Sequence, residues 1–163
     1  MNKYELVQND TKNIDGKTLY RIKALRSFNN VKKGDLGGYI EGEHNLSHDL
    51  NAWVYDNACV YDSAHVYSSA RVWGSARVFG NASVYGKACI FDNAHVCNDS
   101  CVSGKANVFG NAYIFDNAHV YENACVSGSA RIYGKAQISE NACVYNNVCI
   151  SDNDIISGNT LVS

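Results

Sequence analysis

Histidine and cysteine are the side chains of this sequence best suited to acid–base, nucleophilic or metal chemistry. Three histidines in the repetitive part of the chain, His65, His95 and His119, are candidates for a general base or a metal ligand. Seven cysteines are scattered with no Cys-x-x-Cys pair and no histidines at zinc-finger spacing. An odd number of cysteines in this arrangement favours free thiols in a reducing compartment over a disulfide framework or a zinc site.

A six-residue repeat that runs without insertion from 51 to 163 must position these side chains. The fourth residue of every hexad, from Val54 to Val162, is Val or Ile, and the second is Ala in 15 of 19 hexads. Residues two apart in an extended chain point to the same side, so both positions face inward. The last residue of one hexad and the first residue of the next are mostly Gly, Asp, Asn, Ser, Lys or Glu, and most of these residue types favour turns. The sequence predicts an all-β chain of short strands with a corner every six residues.

The hexads resemble those of left-handed parallel β-helix proteins, which place an aliphatic residue and, four positions later, a small one. The segment VYGKA at 84–88 shows this pattern. The resemblance covers 51–163 and implies a left-handed parallel β-helix in which three hexads form one triangular coil of 18 residues. We expect about six coils, stacked about 4.8 Å apart. The inward Val and Ile side chains would form the core, at roughly 1.5 to 3 kcal/mol for each buried side chain.

The first 45 residues lack the repeat and are predicted to be a β cap, with 46–163 as the β-helix. Two β-forming segments, 3–8 and 17–25, are separated by a turn signal at 13–16, which predicts an antiparallel hairpin. Ile40 and Leu46 fall in the phase of the alanine positions, so we expect the helix to begin there irregularly. The leader and the segment 34–47 resemble the start of bacterial and prophage hexapeptide-repeat proteins, which are often labelled transferases.

Residues 18 apart share a face if the coils are uninterrupted, so the outward residues divide among three faces. The first face is strongly aromatic: Tyr55, Trp73, Phe91, Phe109, Ser127 and Tyr145, beside Trp53, Arg71, Cys89, Asn107, Cys125 and Cys143. The second face has fewer rings: Tyr61, Phe79, Cys97, Phe115 and Tyr133, beside Cys59, Arg77, His95, Tyr113, Arg131 and Cys149. The third face is more polar: Tyr67, Tyr85, Ser103, Tyr121 and Ser139, beside His65, Ser83, Cys101, His119 and Gln137.

The aromatic rows have two readings. Rings in adjacent strands can stack on one another and stabilise the sheet. Alternatively, four consecutive large rings exceed the apolar surface that a monomer usually exposes, so that another chain covers them. Arginines beside the rings could make cation–π contacts with that chain. The predicted binding residues are Tyr55, Trp73, Phe91, Phe109, Arg71, Phe79, Phe115 and Tyr113.

Catalysis has little support in the sequence. The acyltransferases that the repeat resembles use a histidine base between subunits, often with a loop inserted in a coil, and this chain has no such loop. In the carbonic-anhydrase branch of that family, three histidines bind zinc across subunits. His65 and His119 would lie three coils apart, about 14 Å, too far to share a metal ion within one chain. We therefore assign no catalytic residue, metal or cofactor.

The carboxylates, thiols and amides at other positions also indicate no site. Asp56 and Asp92 would be about 10 Å apart, too far for one Ca²⁺. Glu122 and Glu140 are predicted to stack with tolerated repulsion. Neighbouring Cys125 and Cys143 are not expected to form a functional disulfide. An amide ladder is predicted along one edge, formed by Asn123, Asn141 and Asn159.

A net charge of −2 and a pI near 6.2 do not favour nonspecific nucleic-acid binding. The chain has no long apolar run and no signal peptide, so we predict a cytoplasmic protein without membrane contact. The predicted function is a non-catalytic interaction module that forms a dimer or trimer or binds a host protein, with a phage-encoded modulator in the host cytoplasm as one form of it. The alternatives are a trimeric CoA-dependent acyltransferase and a small-molecule or nucleotide sponge.

Overall fold

The computed structural model describes residues 2–163 and shows an all-β chain, with one short 3-10 helix at Glu43–Asn45. Three longer strands come first: β1 (Tyr4–Ile14), β2 (Lys17–Ala24) and β3 (Leu36–Ile40). Nineteen two-residue strands follow: β4 (Trp53–Val54), β5 (Cys59–Val60), β6 (His65–Val66), β7 (Arg71–Val72), β8 (Arg77–Val78), β9 (Ser83–Val84), β10 (Cys89–Ile90), β11 (His95–Val96), β12 (Cys101–Val102), β13 (Asn107–Val108), β14 (Tyr113–Ile114), β15 (His119–Val120), β16 (Cys125–Val126), β17 (Arg131–Ile132), β18 (Gln137–Ile138), β19 (Cys143–Val144), β20 (Cys149–Ile150), β21 (Ile155–Ile156) and β22 (Leu161–Val162).

The short strands form three parallel sheets, because every strand pairs with the strand 18 residues away. The first face is a seven-stranded sheet in the order β4-β7-β10-β13-β16-β19-β22. The second face continues β1-β2-β3 into β5-β8-β11-β14-β17-β20, and the third face is β6-β9-β12-β15-β18-β21. The predicted 18-residue period is confirmed, and the molecule is a β-solenoid of about seven coils. This count exceeds the expected six because the first coil begins before residue 51.

The core is the column of inward side chains. From Ala52 to Val144, both inward positions are fully buried, and Ser100 is the one polar member of the series. Ser100 satisfies its hydroxyl by donating to the Cys97 carbonyl oxygen at 2.7 Å. Each coil completes its backbone hydrogen bonds on its neighbours, as when the Cys89 N–H donates to the Ala106 carbonyl at 2.9 Å. Stability therefore depends on contacts between adjacent coils.

The corners adopt left-handed backbone conformation throughout the repeat. The last residue of each complete hexad, from Asp56 (φ 52°) to Gly158 (φ 72°), has a positive φ. At four corners an aspartate accepts the N–H of the glycine one coil later, as Asp92 does from Gly110 at 3.1 Å. Glycine tolerates this conformation at no steric cost, and a short polar side chain compensates for it with a hydrogen bond.

The predicted N-terminal hairpin is confirmed. Strands β1 and β2 pair antiparallel around a turn at Asp15 (φ 52°) and Gly16 (φ 79°), and β1 extends six residues beyond its predicted end at residue 8. Strand β3 then pairs antiparallel with β2 and parallel with β5, so the cap and the coils share one sheet.

One expected register is wrong. Ile40 and Leu46 align with Val60 and Val66, in the valine column rather than the alanine column. These pairs are 20 residues apart, whereas Val54 pairs with Val72 at the regular 18. The two additional residues lie in the corner after Leu46, where the chain meets the N-terminal segment and Lys3 donates its backbone N–H to His48 Nδ1 at 3.2 Å.

The N-terminal segment closes one end of the solenoid. Tyr4, fully buried, donates its hydroxyl to the Leu46 carbonyl at 2.7 Å and stacks on His48. Phe28 packs edge-on against Trp53 with ring centroids 5.3 Å apart. The opposite end has no such cover among the described residues: Ile155 and Leu161 are 65% and 68% exposed.

Candidate binding surface

Three rings of the first face form a continuous stack. The ring centroids of Trp73 and Phe91 are 4.5 Å apart with an interplanar angle of 2°, and those of Phe91 and Phe109 are 4.7 Å apart at 3°. The parallel pairing of β7, β10 and β13 places the same hexad position of successive coils in line, one strand spacing apart. Each of the three rings is half-buried. Stacking between the rings is therefore confirmed, and the three rings form a flat strip, here called the aromatic ladder.

The first face carries very little charge. Of its outward residues from Trp53 to Tyr145, Arg71 is the single charged one. Burial raises the pKa of the Cys125 thiol, as does the neighbouring Cys143 thiol, and burial likewise raises the pKa of Tyr55. The Cys125 thiol and the Tyr55 hydroxyl are therefore kept in their neutral forms at neutral pH, and Arg71 is the one formal charge among the outward side chains of this face.

At the capped end, two aromatic residues predicted for the first face contact the cap and do not join the aromatic ladder. Trp53, expected on the surface, is 1% exposed because Phe28 and Tyr4 of the cap cover it. Tyr55 lies outside the stack, and its hydroxyl donates to Asn30 Oδ1 of the cap at 3.1 Å. A cavity of about 240 Å³ is lined by Tyr55 and Trp73 together with Asn30, Asp56 and Arg71.

Arg71 contacts the aromatic row of its own chain, whereas the sequence predicted a contact with another chain. Its guanidinium carbon lies 5.9 Å from the Trp73 ring centroid, at the outer limit of a cation–π contact. A guanidinium nitrogen donates to the Cys89 sulfur at 3.7 Å. Within the described residues, no carboxylate lies within ion-pair distance of this side chain. The positive charge of Arg71 is therefore not neutralised by an acidic partner.

The structure divides the predicted binding residues of the second face into two groups. Phe79 stacks on Tyr61 at 5.1 Å, and Tyr61 is itself buried beneath the hairpin. Phe115 stacks on Tyr133 at 5.0 Å and meets Tyr113 edge-on at 5.2 Å. Cys97 occupies the position between Phe79 and Phe115, so the ring row is interrupted there. The second face therefore has no continuous ladder.

The candidate histidines are not brought together. His65 and His119 lie on the third face in β6 and β15, three coils apart, and His95 lies on the second face, stacked on Tyr113 at 5.2 Å. Burial, helped by Arg77, lowers the pKa of His95, and burial with the His44 charge lowers that of His65. Among residues 2–163, no group of three or more His, Cys, Asp or Glu side chains is arranged to hold a metal ion. The acyltransferase alternative stays a prediction that no histidine pairing supports.

The cysteines form no disulfide, and the corner side chains form hydrogen bonds between coils. All seven cysteines are free, and burial raises the pKa of the Cys59, Cys97 and Cys101 thiols, which disfavours the reactive thiolate. The Glu122 carboxylate accepts the Glu140 N–H at 2.7 Å, so a backbone hydrogen bond was missed where only repulsion was expected. The predicted amide ladder is confirmed by hydrogen bonds of 3.2 and 3.1 Å, which link Asn123, Asn141 and Asn159.

No known family model matches the chain, and no curated protein matches it. Across residues 2–163, no helix has the length and apolar character needed to cross a membrane.

Proposed function

We propose that this β-solenoid is a non-catalytic interaction module that associates with a second copy of itself through the aromatic ladder of the first face. The observation that carries the proposal is the parallel stack of Trp73, Phe91 and Phe109, at spacings of 4.5 and 4.7 Å, on a nearly uncharged face. Interface cores are depleted in charged residues and enriched in aromatic residues and arginine.

The first face is the most suitable of the three for a flat contact. The hairpin covers the start of the second face, where Cys59 and Tyr61 are each 2% exposed. On the third face, Ser103 and Ser139 separate the tyrosines, so that only Tyr67 and Tyr85 stack. Among residues 2–163, no segment covers the ladder, and no loop is inserted because the hexads follow one another without interruption from residue 51.

A second copy is a suitable occupant because two identical flat faces can meet around a two-fold axis. In an antiparallel pair centred on Phe109, Arg71 and Trp73 of one copy lie opposite the Tyr145 end of the other. Tyr145 is the most exposed ring of this face, at 36%, and its π-face is a suitable partner for the unneutralised guanidinium. Charge and ring positions along the face are therefore complementary in this orientation.

The test is the oligomeric state of a charge variant in the middle of the ladder. We expect light scattering to show a dimer for the wild-type chain and a monomer for Phe91→Asp, because a carboxylate within an apolar contact is left without a partner. Tyr85→Asp is the matched control, since Tyr85 has the same hexad position and the same half-burial on the third face. Circular dichroism checks that both variants fold.

A monomeric wild-type chain at about 100 µM, a concentration at which even a micromolar contact would be largely formed, would contradict self-association. Equal dissociation by Phe91→Asp and Tyr85→Asp would also contradict it, because the first face would then have no special role. If the wild-type chain were a monomer that bound a host protein through Phe91, the partner at this face would be that protein and not a second copy.

A phage or prophage source and a cytoplasmic setting are further parts of this proposal, and they rest on the resemblance and the composition.

A further inference from the structure

The ladder stops at Trp73 although the next aligned residue is also aromatic. Strands β4 and β7 are in register, with Val54 opposite Val72, so Tyr55 is the in-line neighbour of Trp73. Tyr55 is instead tied to Asn30 of the cap, and the cavity of about 240 Å³ lies at this break. One face of the Trp73 ring is stacked on Phe91, while the Arg71 guanidinium is 5.9 Å from the ring centroid. A planar group can stack in this cavity.

A second cavity adjoins the first one at Arg71. It measures about 280 Å³ and is lined by Asn29, Asn51, Ser69, Arg71 and Lys87. Neither Arg71 nor Lys87 forms an ion pair with another described residue. Two cations beside amide and hydroxyl donors suit a group with several anionic oxygens, such as a phosphate.

The one carboxylate of the first cavity has a free acceptor. Asp56 Oδ2 accepts the Gly74 N–H at 3.2 Å, which leaves the other oxygen able to accept an N–H or O–H. The first cavity thus has an aromatic wall, an amide from Asn30 and a hydrogen-bond acceptor, whereas the second cavity has two cations. This division matches a molecule that is planar and polar at one end and anionic at the other.

We propose that the two cavities form one binding site for a nucleoside phosphate. The base stacks on the Trp73 ring beside Tyr55, with Asp56 and Asn30 at its polar edge or at a sugar hydroxyl. The phosphate binds Arg71 and Lys87. The site lies where the cap meets the first face and is complete within one chain, so it does not depend on the proposed self-association. In the proposed antiparallel pair, Tyr145 of the second copy faces Arg71, so a bound phosphate and that contact would compete for the guanidinium.

Calorimetric titration of the full chain with AMP tests the proposal. We expect saturable binding that falls at least tenfold in Arg71→Ala and in Trp73→Leu. Arg77→Ala is the matched control, because Arg77 has the same hexad position on the second face of the same coil and lines neither cavity. The control variant should bind AMP as the wild-type chain does. Its oligomeric state, and that of Arg71→Ala, are measured alongside, so that loss of ligand binding is distinguished from loss of association.

Two competitors separate the parts of the site. Inorganic phosphate and adenosine should each bind at least tenfold more weakly than AMP, since each occupies one cavity. The proposal is overturned if AMP shows no saturable binding at millimolar concentration, if phosphate binds as tightly as AMP, or if Arg77→Ala loses binding as much as Arg71→Ala does.

Discussion

At the scale of single residues, the most unusual group is a lysine inside the cap. The Lys3 side chain is fully buried, donates from Nζ to the Ala52 carbonyl at 2.7 Å, and lies 5.3 Å from the Phe28 ring centroid. Burial, with a smaller contribution from the Arg26 charge, lowers the pKa of Lys3 from 10.5 to about 8. The cap therefore includes a cation whose charged form is disfavoured by its surroundings.

This lysine makes stability depend on pH in a defined direction. The folded state releases the Lys3 proton above about pH 8, whereas the unfolded state keeps it until about pH 10.5. Raising the pH from 7 to 9 therefore adds about 1 kcal/mol to the unfolding free energy through this group. Urea unfolding of the wild-type chain and of Lys3→Met at both pH values isolates the effect, since other titrating groups are common to both. A wild-type minus variant difference that is equal at pH 7 and pH 9 would contradict this assignment.

At the scale of elements, the corner decides how closely coils can stack. At Gly104 (φ 67°), a Cβ atom would lie 2.6 Å from the Glu122 backbone nitrogen of the next coil, whereas a Cβ at Gly16 (φ 79°) of the hairpin turn would meet nothing within 4 Å. Both positions have a left-handed backbone, so both share the roughly 1 kcal/mol cost of a side chain there. At Gly104 alone of these two, an added Cβ would also clash with the backbone of the next coil.

We therefore expect Gly104→Ala to lower the unfolding free energy by about 2 kcal/mol or more and Gly16→Ala by about 1 kcal/mol. Denaturant unfolding of the two variants beside the wild-type chain measures the difference. Equal losses would mean that adjacent coils separate easily at a corner, and the close stacking described for the corners would then be wrong.

Much of this architecture could be predicted from the sequence because a strict period transmits local preference along the whole chain. The alternation of Ala and Val assigned the core, and the 18-residue period placed Trp73, Phe91 and Phe109 in one row. Features that depend on the non-repetitive cap could not be predicted in this way. The burial of Trp53 and the separation of Tyr55 from the ladder result from contacts with residues 3–31, for which the sequence has no period. The 20-residue first coil contains the corner that contacts Lys3.

The same reason explains why part of the candidate site was missed. Arg71, Trp73 and Tyr55 stood out as outward residues of an aromatic row, but Asn30 belongs to the cap, and Lys87 lies at a corner. The signal that could have indicated the second cavity is a cation at a corner where aspartate, asparagine or serine is common. Whether a lysine at such a corner lines a cavity depends on the position of the cap loop, and the repeat period does not predict that position.

At the scale of the whole molecule, the two ends differ. The cap covers the coil at Trp53 with buried residues including Tyr4 and Phe28, whereas the outward Ile155 and Leu161 are exposed at the other end. The inward positions there also depart from the repeat, with Asp154 and Thr160 in place of alanine, and both are exposed. In a chain stabilised by contacts between adjacent coils, local unfolding should begin at the end with fewer contacts, which is the end at Ile155 and Leu161.

Hydrogen exchange of the 163-residue chain measures this asymmetry. We expect the amides of Ile150, Ile156 and Val162, in the last coil, to exchange fastest among the inward valines and isoleucines. Those of Ile90, Val96 and Val102 in the middle should exchange most slowly, because their exposure requires several coils to open. Val54 and Val60, beside the cap, should be protected nearly as well as the middle. Faster exchange at Val54 than at Val162 would contradict a stabilising cap, and equal exchange at all positions would mean that the solenoid opens as one cooperative unit.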